Sequence, residues 1–401
     1  MFEKERSVMI PKGSLFCCIS TGLLFFLAEK GMSGFFVKTY KRIIAGNLVI
    51  LLFLSLFLAG CGGNKHTYDP NAGIETITIK DDTGRDITIA SEITAIAPSG
   101  STAQMLLQTI APEMLVGLSS SPTSAQRKYI PESMWYMPTF GQFYGSKSNL
   151  NMEALINAKP QIIIDLGDRK ATILADMSSI QKQTGIPTVF YEATLETMPD
   201  AYRKLGTILG KEEEAEKQAR FIERTLEMAA EKSALIPPSE KKTVMYSTGA
   251  TGLAVNADES SQSQVIDLIG AENAIIPDKI TNKGGGTTVS LESVYKVQPD
   301  VIIFMAGGPY DDVETNEWSE LKAIRSGEYY EIPNLPYCWM SSPPSVNMVL
   351  GVWWLGQLVY PDLYNDYDMI EIAQEYYNLF WHYDLSKEEA AEMLSRSLMK
   401  D

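Results

Sequence analysis

Two glutamates stand at matching places in the two halves of the chain. Asn151-Met152-Glu153-Ala154-Leu155-Ile156 runs through Lys159-Pro160-Gln161 into Ile162-Ile163-Ile164, and Ser290-Leu291-Glu292-Ser293-Val294-Tyr295 runs through Gln298-Pro299-Asp300 into Val301-Ile302-Ile303. In each copy the Glu precedes the Pro by seven residues, and the Pro leads into a three-residue apolar run. The spacing predicts a short helix capped by Asn151 or Ser290, ended by the Pro and followed by a buried strand. Each Glu falls in the first turn, where a carboxylate suits the positive end of the helix dipole. One such Glu is ordinary surface; two equivalent ones predict a pair of acidic knobs on one side of a bilobed molecule.

Catalytic chemistry finds little footing. HExxH, GxSxG and GxxxxGK[ST] do not occur, and Lys283 precedes its glycines where a phosphate loop needs it to follow them. No carboxylate spacing singles out an acid and base pair, so an exported hydrolase is the weaker reading. The chain has two histidines, His66 near the N-terminal leader and His382 near the C-terminus. Their placement argues against direct haem ligation or a histidine-rich zinc site.

The N-terminus reads as an address. Lys38, Lys41 and Arg42 precede an apolar run at 43–59 that ends in Leu58-Ala59-Gly60-Cys61. A basic start, an apolar middle and small residues at the cut are the layout of a secretory signal. Cys61 after Leu-Ala-Gly resembles the lipobox of bacterial lipoproteins, in which the Cys is acylated and becomes residue one, and this implies a lipid bilayer as a partner. A signal anchor competes with that reading, but seventeen residues span only about 25 Å of a roughly 30 Å hydrocarbon core, and Asn47 interrupts them. A second apolar patch at 15–28 lies ahead of the basic stretch, so Met32 is the expected start of a signal of ordinary length. Residues 1–60 are the expected signal region and 61–74 a solvated tether.

The 401 residues, 45% hydrophobic and 10% aromatic, suffice for two domains and exclude a disordered or disulfide-scaffold chain. Residues 1–60 hold seven basic and three acidic side chains, so the 34 and 50 of the whole chain become 27 and 47 without them, and the net charge moves from −16 to −20. That excess of carboxylate excludes nucleic acid as a partner. With Cys61 acylated, Cys338 has no partner and no intrachain disulfide forms.

The elements that must position these residues follow from periodicity. Segments 76–79 and 86–89 alternate with period two around Asp81-Asp82-Thr83-Gly84, a hairpin. Short apolar runs at 93–97, 115–118, 162–166 and 188–191, and later at 244–247, 253–255 and 301–305, alternate with helical stretches. This predicts an α/β fold: two Rossmann-like lobes with parallel-rich sheets and a ligand cleft between them. Ala215, Ala219, Ile222, Leu226 and Ala229 form one stripe on a charged helix at 211–234, read as a single long helix joining the lobes, with a coiled-coil dimer as the competing reading. The expected divisions are an N-terminal lobe at 75–199, linker helices at 200–238 and a C-terminal lobe at 239–401.

From about residue 75 to 395 the sequence resembles the substrate-binding proteins of ABC importers for iron complexes and cobalamin. The resemblance rests on Asp82-Thr83-Gly84-Arg85 before a strand, on the two glutamate elements, and on the segment 352–364. It implies a lipid-anchored monomer that closes by hinge motion on a small-molecule solute and hands it to an ABC permease and its ATPase, with no resident cofactor or metal. It also implies that Glu153 and Glu292 dock onto permease arginines. Ligands of open α/β sheets bind at loops after strand C-termini, here 98–102, 119–124, 141–144 and 167–170, then 246–249, 283–287, 306–310 and 339–342. Within them Ser99, Tyr144, Arg169, Tyr246, Gly285, Tyr310 and Trp339 are the expected ligand-binding residues. Arg169 would clamp an anion and the aromatics would stack on the ligand. Relatives often carry an aromatic where Gly284-Gly285-Gly286 stands, and its loss favours a compact chelate or an anion, although a triple glycine is equally a flexible turn. The expected solute is an Fe(III)-siderophore or cobalamin-type ligand, with molybdate or tungstate as the runner-up and a sensory lipoprotein as a third reading.

Overall fold

The two alternating segments pair as strand β1 (Thr76–Lys80) antiparallel to β2 (Asp86–Ala90), with Ile77 opposite Ile89 and Ile79 opposite Ile87. The computed structural model describes residues 73–144, 148–255, 263–275 and 286–398; the signal region, Cys61, the tether up to residue 72 and Gly285 lie outside them. In the hairpin turn the buried Asp81 carboxylate accepts hydrogen bonds from Thr83 Oγ1 at 2.6 Å, the Arg85 amide at 3.0 Å and the Arg85 guanidinium at 2.6 Å. Arg85 also donates to the Thr188 carbonyl at 2.7 Å, which ties the hairpin to the first lobe.

That lobe continues with β3 (Ile96–Pro98), α1 (Ser101–Ile110), α2 (Met152–Ala158), β4 (Ile162–Gly167), α3 (Ile173–Thr184) and β5 (Thr188–Glu192). Its sheet has the order β3-β4-β5 and is parallel throughout. β4 lies between two neighbours and is buried along almost its whole length, which is why it opens on three consecutive isoleucines rather than alternating, with Asp165 its one ionisable side chain. The strand expected at 115–118 is not formed. Leu115 bridges to Ile96 and Leu118 to Thr139, so the segment changes partner within four residues and no ladder develops. Gly117 permits that crossing, because a Cβ there would lie 2.2 Å from the Phe140 ring.

Next come α4 (Met198–Leu209) and the long α5 (Glu212–Ser233). The expected stripe is buried at Ala215, Ala219, Ile222 and Ala229, while Leu226 is half-buried. Glu212, Glu213 and Glu214 open the helix and Lys232 closes it, each sign matched to the dipole.

The second lobe comprises β6 (Thr243–Thr248), β7 (Ala254–Val255), α6 (Gln264–Leu268), β8 (Glu272–Asn273), β9 (Thr287–Thr288), α7 (Leu291–Val297), β10 (Val301–Phe304), α8 (Lys322–Arg325), β11 (Tyr329–Glu331) and α9 (Asn347–Val359). Its sheet runs β11-β10-β6-β7-β9, with β8 also on β6. The β11-β10-β6-β8 pairings are parallel, whereas β7 and β9 pair antiparallel. The chain is therefore α/β, with two lobes of parallel-rich sheet joined by α5.

After α10 (Pro361–Tyr364), helices α11 (Met369–Trp381) and α12 (Lys387–Leu394) return to the first lobe. Phe380 packs edge-on against Tyr202 of α4 and Phe221 of α5, with ring centroids 6.0 and 5.7 Å apart. Tyr377 meets Tyr129 at 5.5 Å, and Lys128 pairs with Glu389 at 2.7 Å. Gln218 of α5 donates to the Thr109 carbonyl on α1 and the Leu379 carbonyl on α11. The lobes are thus braced by the returning C-terminal helices as well as by α5, which restricts their relative motion.

Candidate functional site

The C-terminal ends of β3 and β6, one from each lobe, open on a shared cleft of about 560 Å³. The first lobe contributes Ser101 and Thr102 at the start of α1, then Ser120 and Gln126. The second contributes Tyr246, Thr248 and Gly249 at the end of β6, Met305 after β10, Tyr337, and the loop Ser341-Ser342-Pro343-Pro344. Hydroxyls and amides dominate, and among the described residues none of these side chains carries a charge at neutral pH. Gln104 fixes one wall, its Oε1 accepting from the Ser119 amide at 2.7 Å and the Ser120 amide at 3.0 Å. Lining residues take part in two hydrogen bonds between the lobes: Gln126 Nε2 donates to the Pro336 carbonyl at 2.9 Å and the Tyr337 hydroxyl to Gln108 Oε1 at 3.0 Å.

The repeated glutamate elements have the same construction in both lobes. Asn151 Oδ1 accepts from the Ala154 amide at 3.0 Å, and Ser290 Oγ accepts from the Ser293 amide at 3.2 Å. Each helix ends on a left-handed residue, Lys159 at φ 53° or Gln298 at φ 50°, and the following Pro cannot continue it. The residue after the Pro then clamps the neighbouring strand in both copies. Gln161 Oε1 accepts from the Thr94 and Ala95 amides, while Asp300 Oδ2 accepts from the Thr243 amide at 2.9 Å. A helix that turns straight into a strand runs back antiparallel to it, so its N-terminus lies toward the strand's C-terminal end. Glu153 and Glu292 thus hold equivalent first-turn positions, one per lobe. Both are exposed, and among the described residues Glu292 pairs with Lys296, at 2.8 Å.

Residues 96–335, more than half of the chain, match the family described as periplasmic binding protein. The chain belongs to that family. The Fe(3+)-citrate-binding protein YfmC of Bacillus subtilis is 25% identical over 193 residues, 47% of this chain and 58% of that protein. The molybdate-binding protein MolA of Haemophilus influenzae is 27% identical over 112 residues, 27% of this chain and 31% of its own length. The chain thus matches about half, or less, of the length of these curated relatives. An ABC transporter solute binding protein from Sulfurospirillum deleyianum superposes with a TM-score of 0.72 at 26% identity, covering 79% of this chain and 99% of that one.

Of the ligand-binding residues expected in this binding-protein fold, Tyr246 forms part of the cleft wall, where its hydroxyl meets Ser341 Oγ at 2.5 Å. Burial pushes that phenol well above its usual range, so it stays neutral. Gly285 is outside the described residues, but its neighbour Gly286, at φ +77°, comes against Thr248: a Cβ there would lie 3.2 Å from Thr248 Oγ1. Ser99 and Tyr144 are not in the lining. Both donate to Asp165, a buried carboxylate on β4, and burial together with that carboxylate pushes the Tyr144 phenol far above its usual range.

Arg169, Tyr310 and Trp339 are likewise outside the lining of this cleft. Arg169 turns to the hairpin, donating to the Asp82 carbonyl and pairing with Glu192 at 3.5 Å. Tyr310 stacks under Arg396 and against Phe304 and Tyr329 in the second lobe's own core. Trp339 is 1% exposed, and its carbonyl is overlain so closely by Gly351 that a Cβ there would lie 2.2 Å away. Tyr337, two residues earlier, is the aromatic of that loop that reaches the cleft. Sequence reasoning located most of the lining loops but missed Gln126, Met305, Tyr337 and the prolines, because only the fold brings the 126 turn against the 336 loop.

Asp165 carries a testable electrostatic consequence. Burial raises its pKa above the ordinary 3.8, and hydrogen bonds from Ser99 and Tyr144 and the charge of Lys170 only partly offset this. A carboxyl with a raised folded pKa supports the fold most at low pH and loses that contribution as pH climbs from 3.8 through the raised value. The difference in melting temperature between wild type and Asp165→Asn should therefore shift toward the variant as pH rises from 4 to 8. Parallel curves would show that Asp165 stays ionised in the fold.

Proposed function

We propose that this chain is an extracytoplasmic solute-binding protein, acylated at Cys61, that delivers an Fe(III) chelate to an ABC permease and its ATPase. The interlobe cleft carries the reading. Ligand pockets for drug-sized molecules run from about 300 to 1,000 Å³, and the cleft's 560 Å³ falls inside that range. A water's share of liquid volume is about 30 Å³, so a bare oxyanion of a few heavy atoms would leave most of the cleft unfilled. That favours a chelate over molybdate or tungstate, in keeping with the similarity to the Fe(3+)-citrate-binding protein. Glu153 and Glu292 are the proposed contacts to permease arginines.

Titration of the purified mature domain with ferric citrate, ferric siderophores, cobinamide, haem and molybdate tests the reading. Ser101 is exposed at the first turn of α1 and lines the cleft, so Ser101→Trp should fill the site without disturbing a core. It is expected to weaken binding of whichever chelate binds by about tenfold or more, equivalent to roughly 1.4 kcal/mol. Unchanged affinity in that variant would remove the cleft from consideration as the binding site.

A further inference from the structure

The two glutamate elements match in their backbone and differ in one charge. α2 and α7 have the same length, seven residues, the same kind of side-chain cap and the same left-handed end. Glu153 and Glu292 are each the second residue of their helix. One turn further on, the fourth residue after Glu153 is Asn157 and the fourth after Glu292 is Lys296, both exposed. Lys296 Nζ lies 2.8 Å from Glu292 Oε1, with the two side chains 73% and 77% exposed. Among the described residues Glu153 pairs with no cation.

A Glu with a Lys four residues after it is the favourable order on a helix, because the two side chains lie one above the other on the same face. The first lobe has room for the same pair, since Asn157 occupies the place of Lys296. The pair adds little to the fold: both groups stand in water, and α7 is already fixed by its Ser290 cap and by the buried Val294. Its consequence falls on whatever meets the carboxylate. A guanidinium arriving at Glu292 must displace the ammonium before it takes both carboxylate oxygens, and the ammonium then stays on the same helix face as a like charge. Glu153 meets its arginine without that competition.

We propose that Lys296 is a built-in competitor for the permease arginine at Glu292, which makes the second lobe's docking contact the weaker of the two. The proposal rests on Glu153 and Glu292 being permease contacts. It also sets a requirement on the partner surface facing Glu292, an arginine rather than a lysine, because the guanidinium fork outcompetes an ammonium for a carboxylate.

Equilibrium binding of the mature protein to the permease and ATPase complex in lipid nanodiscs, without added solute, measures docking itself. Lys296→Asn, which gives the second lobe the first lobe's pattern, should tighten docking about twofold, the worth of one exposed pair on a helix. Asn157→Lys should weaken it by a similar factor, and Lys296→Arg, which keeps a cation in place, should not tighten it. Each effect should vanish once the neighbouring carboxylate is gone, in Glu292→Ala for the first and Glu153→Ala for the second, and should shrink with added salt. That dependence separates a local competitor from a change in overall charge, and melting curves of every variant verify folding. Docking that is unchanged or weaker in Lys296→Asn overturns the proposal, as does a gain that persists in the Glu292→Ala background. The docking assignment fails separately, if the variant lacking both glutamates binds the complex as tightly as the parent.

Discussion

With Glu153 and Glu292 both replaced by alanine, solute affinity is expected to stay within about twofold of the parent while uptake through the permease falls by up to roughly 30-fold. The magnitude follows from their exposure: an exposed carboxylate meeting an arginine is worth about 0 to 1 kcal/mol, so two pairs supply at most about 2 kcal/mol, and every 1.4 kcal/mol is a factor of about ten. Such contacts set register and encounter rate more than affinity, which suits a protein that must deliver and leave. The two carboxylates sit on separate lobes, so each single variant should lose about half of that free energy, and the losses should add because distant sites are independent. Neither change touches the cleft. Glu292 gives up an exposed pair with Lys296, worth a few tenths of a kcal/mol within its own helix. Uptake of labelled ferric citrate by proteoliposomes containing the permease and ATPase, alongside equilibrium titration of each variant, separates docking from binding. Uptake that matches the parent in the double variant would remove both residues from the docking surface.

The repeat was legible because its parts are local. Capping by Asn151 and Ser290, the stop at Pro160 and Pro299, and the apolar strands that follow depend on neighbours in sequence, and the structure reproduces them in both lobes. The helix stripe from Ala215 to Ala229 was legible for the same reason. The cleft was legible only as a set of loops. Which side chains face it depends on contacts between distant segments, such as Gln126 with Pro336 and Tyr337 with Gln108. Arg169 and Trp339 have the right chemistry in the right loops, but a carboxylate at Glu192 captures the first and the close approach of Gly351 buries the second. Nor does periodicity reveal that α11 leaves the second lobe to pack on α1 and α5, since its apolar face fits any partner.

Asp81→Ala should destabilise the domain by about 3 to 5 kcal/mol, the usual cost of removing one member of a buried ion pair, without altering solute affinity. Asp82-Thr83-Gly84-Arg85 is among the segments that carry the family resemblance, yet no residue of 73–98 lines the cleft, so its work is architectural. Loss of the Asp81 carboxylate strands the Arg85 guanidinium, which is 14% exposed, and removes the acceptor that shapes the turn. It also loosens the hairpin from β5, where Asp82 holds the Phe190 carbonyl and the Glu192 amide. Burial alone would raise the Asp81 pKa, but hydrogen bonds from Thr83 and Arg85 and the guanidinium charge outweigh it and hold the carboxyl below 3.8. A depressed folded pKa contributes stability above the unfolded value and loses it as pH falls through the folded one. Wild type and Asp81→Ala should therefore differ most near neutral pH and converge in acid below 3.8. Replacing both partners, as Asp81→Leu with Arg85→Met, should recover much of the loss, because an apolar pair leaves no charge stranded. Urea unfolding at pH 7 and pH 3 measures all three. A loss below about 1 kcal/mol at pH 7 would mean that solvent reaches the pair, and a change in solute affinity would place the hairpin in the binding site after all.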